Sequence, residues 1–190
     1  FLIGFGITPL STGSEPESEL VSSQLCDQLA AVSFDGQRAN ESVQWQVSLG
    51  PRTPGSNASL KFRSAVSENL TSWGWQVQQD PHPWVLSNGT EIPVVNLIAE
   101  LPANRDVTDN VSGPAPRIVL AAHYDSRDRA ENDADEENRS KPIPGANDGA
   151  SGVAVLLELA RHLPSANLSL DVLILLTDGE DYGPTPSMYG

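Results

Sequence analysis

The sequence predicts an α/β fold built on a mainly parallel sheet, and three observations carry that reading. Residues 117–122 and 170–176 are continuous apolar runs, the pattern of strands covered on both faces. Between them Val153, Leu156, Leu157, Leu159, Ala160 and Leu163 recur at helical steps until Pro164 stops the helix. A strand, a helix and a second strand in that order make a right-handed parallel unit. The third observation is where the charge falls. His123-Tyr-Asp-Ser126 follows the first strand, Pro144-Gly-Ala-Asn-Asp-Gly149 heads the helix, and Thr177-Asp-Gly-Glu-Asp181 follows the second strand. Side chains at the carboxyl ends of parallel strands converge on one crevice, so His123, Asp125, Asp148, Glu180 and Asp181 are expected to meet there.

At 190 residues the chain is about one domain. Residues 1–17 are expected to be the remnant of a signal peptide or membrane anchor followed by a Ser-, Pro- and Glu-rich tether. Residues 18–190 then belong to a single domain, which the resemblance described below implies is the first part of a catalytic one. The apolar opening is too short to span a bilayer. A net charge of −14, with Lys61 and Lys141 as the only lysines, argues against nucleic acid and anionic membrane surfaces as partners. The lone Cys26 excludes an intrachain disulfide and a Cys-based zinc site. Asn40, Asn57, Asn69, Asn88, Asn110, Asn138 and Asn167 all lie in Asn-x-Ser/Thr triplets, which favours a secreted or extracytoplasmic, glycosylated protein.

Along the rest of the chain, an amphipathic helix is expected over 18–34, with Leu20, Val21, Leu25, Leu29, Val32 and Phe34 on one face. Residues 50–56 form a Gly- and Pro-set loop. A second helix over 57–73 presents Leu60, Ala65, Val66, Leu70 and Trp73 and ends at Gly74. Strands are expected over 75–79 and 94–101, and His82, in the loop between them, reads as solvated. The stretch 102–116 is a surface loop, and 127–141 is a long acidic loop holding Asp128, Glu131, Asp133, Asp135, Glu136 and Glu137.

One imidazole among four carboxylates makes a poor hydrophobic core and a good divalent-cation site, zinc above all, since its ligands are His nitrogen and Asp or Glu oxygen. His123 is the best ligand available. Asp125, two residues on, can accept the other ring N–H as an outer partner. Asp148 lies between glycines that let its carboxylate approach an ion, and it could bridge two. Glu180 and Asp181 are adjacent and can divide coordination and proton transfer between them.

Gly50-Pro-Arg-Thr-Pro-Gly-Ser56, Asn96-Leu-Ile-Ala99, His123-Tyr-Asp-Ser-Arg127, Gly145-Ala-Asn-Asp-Gly-Ala-Ser-Gly152 and Asp178-Gly-Glu-Asp-Tyr-Gly183 resemble metallopeptidase family twenty-eight. This is the family of zinc aminopeptidases and glutaminyl-peptide cyclotransferases, and the likeness is nearest to the bacterial cyclotransferase type. It implies a three-layer α/β/α, zinc-exopeptidase-like fold that is incomplete at the C-terminus here. It also implies one or two zinc ions, with Asp148 as a ligand that bridges if two bind, Asp181 as a ligand where many members carry Glu, and Glu180 as general acid/base. His123 would hold a second zinc or stay as a polar neighbour. The implied substrate is a peptide or protein N-terminus, with N-terminal Gln cyclised to pyroglutamate. Hydrolysis of the first peptide bond and a non-catalytic ectodomain without metal are the alternatives. The family draws further ligands from beyond this segment, so the chain taken alone is expected to bind zinc weakly and to have little activity.

Overall fold

The computed structural model describes residues 33–104 and 113–183. Most of the helix expected over 18–34, Cys26, the tether and Asn110 lie outside the described residues. Residues 33–35 are not helical, and Phe34, expected on the buried face of that helix, is 45% exposed.

The first helix, α1, spans Gly36–Ser48. The Asp35 carboxylate caps it, accepting the amides of Gln37 and Arg38 at 3.0 Å each. Of its residues only Ala39 and Gln46 are buried, so no apolar stripe marks it in the sequence. Polar bonds dock it instead. The buried Glu158 accepts from Asp35 N (3.2 Å) and Arg38 Nη1 (3.3 Å), while Gln46 Nε2 donates to Ala150 O at 3.0 Å. The second helix, α2, spans Asn57–Ser72, capped by Ser56 Oγ, which accepts from Ser59 N. Its buried face carries Phe62, Val66 and Leu70; Leu60, expected to face inward, is 53% exposed. The inward stripe steps by four residues from Ala58, which leaves Leu60 on the wet side.

The strands are β1 (Gln76–Pro81), β2 (Trp84–Val85), β3 (Glu91–Ile92), β4 (Val95–Leu101), β5 (Arg117–His123) and β6 (Asp171–Thr177). Four of them form a mixed sheet in the order β1-β4-β6-β5, and β2 and β3 form a separate hairpin. β4 runs antiparallel to both β1 and β6, and β5 runs parallel to β6. The strand–helix–strand unit is therefore present, with the helix α3 over Ser151–His162 between β5 and β6. The parallel pairing is one of three in this sheet.

One core joins α2, α3 and the sheet. Leu97, Ala99, Val172, Ile174 and Leu176 contribute alternate residues of β4 and β6, and Val153, Leu156, Leu157 and Ala160 contribute α3. Phe62 stacks between Trp45 and Tyr124, with ring centroids 6.0 and 4.8 Å away, and Trp75 Nε1 is satisfied by Ala160 O at 2.8 Å. One expectation needs correction. The run 117–122 is not covered on both faces, because β5 lies at the edge of the described sheet with Ile118 38% and Val119 55% exposed. Its apolar character reads as burial, yet β6 is its only strand partner among the described residues. Among these residues no helix is long and apolar enough to cross a membrane.

Candidate active site

The parallel register pairs His123 with Thr177, so β5 and β6 end side by side, and Tyr124 N continues the ladder to Thr177 O at 2.9 Å. The segments that follow then run together. Asp125, wholly buried, is the link between them: Oδ1 accepts the amide of Glu180 at 3.3 Å and Oδ2 that of Asp181 at 3.0 Å. This clasp points the two acids in different directions. Glu180 is exposed, its Oε2 3.6 Å from His123 Nδ1, whereas Asp181 is buried and its Oδ1 accepts from Arg127 Nη1 at 3.0 Å.

Asp148 reaches the same rim from the turn Ala146–Ala150, whose backbone leaves helical values at Asp148 and Gly149. Gly149 has φ +85, and a Cβ there would stand 2.6 Å from Asp125 O. Glycine therefore lets the turn close against the end of β5. The result sets Asp148 Oδ1 3.0 Å from His123 Nε2. The other ring nitrogen, Nδ1, lies 3.4 Å from Asp125 Oδ1, within ion-pair range; it is buried and without a hydrogen-bond partner. The Asp125 carboxylate, with Glu180 and Asp148 behind it, pushes the imidazole up to about 9 against the opposing effect of burial. Burial raises Asp181, while Arg127 opposes that rise and Asp148 adds to it. His123, Asp125, Asp148 and Glu180 thus come together as expected. Asp181 reaches the group through its backbone, with its side chain turned to Arg127.

The profile of Peptidase family M28 matches residues 96–190. The chain belongs to this family. The M28 chain is 30% identical over 165 residues to the glutaminyl-peptide cyclotransferase-like protein of Bos taurus, an alignment covering 77% of this chain and 38% of that protein. Among solved structures it is similar to the Bacteroides thetaiotaomicron glutaminyl cyclase bound to N-acetylhistamine (36% identity, TM-score 0.70, 83% of this chain and 51% of that one). It is also similar to a Zn-dependent exopeptidase from Parabacteroides distasonis (31% identity, TM-score 0.71, 83% and 54%). The M28 chain thus spans well under half the length of that bovine relative and about half of these solved chains.

The family implies zinc, and two donors of the right kind stand on the rim. His123 Nε2 and Asp148 Oδ1 are ligand types that zinc takes, they stand together on the rim, and the orphaned Nδ1 faces Asp125 as an outer partner would. Among the described residues no group of three His, Cys, Asp or Glu side chains is gathered for a metal. The third acid the resemblance implies, Asp181, is held by Arg127.

Two supporting residues escaped the sequence reading. Arg52, wholly buried, donates to Tyr124 O (3.0 Å), Gln46 O (3.2 Å), Pro144 O (3.1 Å) and Gly145 O (2.8 Å), and so ties the loop 50–56 to both flanks of the site. Arg127 binds Asp181, Glu131 and Gly183 O, joining the acidic loop to the Glu-Asp segment. Arginine in a loop sequence carries no sign of such partners. His162 bonds Glu158 at 2.9 Å in the last turn of α3, away from the site.

Proposed function

We propose that the protein is a zinc-dependent enzyme acting at peptide N-termini and that its reaction is cyclisation of N-terminal glutamine to pyroglutamate. The observation that carries this reading is Glu180: an exposed carboxylate at 3.6 Å from His123, beside the His123–Asp148 pair and free of the contact that engages Asp181. Asp148 and Asp181 would hold the ion, with His123 beside it or holding a second. Bound there, zinc would supply positive charge to polarise the γ-carbonyl of the substrate glutamine. In the reaction the α-amine nitrogen bonds to the γ-carbonyl carbon, the bond from that carbon to the amide nitrogen breaks, and ammonia leaves. Glu180 takes the proton from the α-amine and delivers it to the departing nitrogen. Asp125 fixes the Glu180 backbone for that transfer through its bond to the amide.

Similarity to the Parabacteroides exopeptidase favours a second reading, in which Glu180 activates water to attack the first peptide bond. Assays of the zinc-loaded full-length protein on Gln-peptides, followed by ammonia release, and on Leu-peptides, followed by free leucine, separate the two. Glu180→Gln is expected to lower the active reaction by about 10²–10⁴-fold while zinc content is unchanged; retained activity would remove Glu180 from the mechanism. We further propose an extracytoplasmic location, supported by the exposure of Asn40, Asn57, Asn69, Asn88 and Asn167. Secretion from a eukaryotic host should give a product that loses mass on deglycosylation, and an unchanged mass would count against it.

A further inference from the structure

A pocket of about 430 Å³ opens on one side of Glu180. Pro83, Trp84 and Val94 supply its apolar lining, Asn96 and Asp178 its polar lining, and Glu180 belongs both to it and to the candidate site. The hairpin of β2 and β3 holds Trp84 there: Trp84 pairs with Ile92, and the turn is closed by Leu86 N to Thr90 O at 2.8 Å. His82 anchors the near end by donating its amide to Val94 O at 2.8 Å, and its ring meets Asp80 at 2.7 Å. Gly179, with φ +81, packs closely on Val94 in this lining, where a Cβ would stand 3.1 Å from Val94 Cγ2. The volume lies within the range of sites that accept small ligands, and most of the lining surface is apolar, with Asp178 and Glu180 as its carboxylates. His82, 64% exposed as expected of a solvated loop histidine, also lines this cavity, which runs up to Glu180.

We infer that this pocket is the subsite for the side chain of the substrate's second residue and that it selects a large apolar one. The inference rests on the reading of Glu180 as the acid/base at a peptide N-terminus. In cyclisation the glutamine side chain is itself the reacting group and folds back onto its own α-amine at Glu180. The next bulky group of the peptide is the side chain of residue two, and the cavity beside Glu180 is where the structure offers it room. An indole, a pyrrolidine ring and a valine favour an aromatic or aliphatic occupant by removing apolar surface from water. The Glu180 carboxylate at the edge repels an acidic one.

The test uses the zinc-loaded full-length protein and two unreactive ligands, pyroglutamyl-Phe-Ala and pyroglutamyl-Gly-Ala, with dissociation constants read by calorimetry. The Phe ligand is expected to bind about tenfold more tightly than the Gly ligand. Gln-Phe-Ala should exceed Gln-Gly-Ala by a similar factor in kcat/KM, mostly through KM. Trp84→Ala should bring both ratios to within about twofold, and Trp84→Phe should restore most of the preference. Equal or undetectable binding of the two ligands to the wild type overturns the subsite. So does a preference that Trp84→Ala leaves intact. Absence of turnover on every peptide would overturn the enzymatic reading, and the binding ratio would still decide the pocket.

Discussion

Glu180 and Asp181 are neighbours in sequence and opposites in environment. One carboxylate faces solvent beside an imidazole, and the other is buried against a guanidinium. That division was half legible. Two acids after a buried strand suggest a division of labour, but which faces the imidazole and which faces Arg127 depends on Asp125 taking both amides, a contact made across 55 and 56 residues. The Arg127 contact to Asp181, across 54 residues, had no signature at all. If Arg127 orients a zinc ligand, Arg127→Ala should weaken zinc binding by about 10–100-fold in chelator competition, with Arg127→Lys intermediate because an ammonium lacks the planar fork. Asp178 gives a pH effect. Burial pushes its carboxyl from 3.8 up to about 6, and its Oδ1 has no partner. Between those values the folded state holds a proton that the unfolded state has released, so stability falls as pH rises through the window and the penalty is complete above it. Asp178→Asn should remove that slope and gain up to about 3 kcal/mol at pH 7, measured by chemical denaturation across pH.

Among the elements, α3 and the strands flanking it were legible because their apolar residues are dense and their ends carry Pro or acid. α1 was not, because it is docked by Glu158 and Gln46 and buries only Ala39 besides. α2 was placed correctly with one face misjudged: Leu60 looks like core, yet Phe62 holds the stack with Trp45 and Tyr124. The loop 50–56 read as a turn, and its function lies in Arg52, whose donors satisfy four carbonyls from three separate segments. Arg52→Met should leave Tyr124 O and Pro144 O without a donor, while Gln46 O keeps the amide of Leu49 and Gly145 O that of Ala150. Each orphaned group costs about 1–3 kcal/mol, so a loss of at least about 2 kcal/mol in thermal or denaturant unfolding is expected. A smaller loss would mean water reaches the vacated position.

For the whole molecule, the acidic balance and the mixed sheet set the behaviour. A charge of −14 favours solubility, while β5, at the sheet edge among the described residues, presents Ile118 and Val119 to solvent. Exposed apolar edges template association. The 190-residue chain is therefore expected to show concentration-dependent self-association in sedimentation, and Val119→Lys should shift it toward monomer. Equal behaviour of the two would clear that edge. The sheet also acts as a ruler for the chemistry. Because β5 and β6 run in step, with His123 opposite Thr177, one added residue in β6 would reverse the facing of the strand beyond it and carry the Glu180 and Asp181 amides out of register with Asp125. An inserted pair would keep the facing but carry both acids about 7 Å along the strand, out of the imidazole's reach. The spacing between Leu176 and Glu180 should consequently tolerate substitution far better than any change of length.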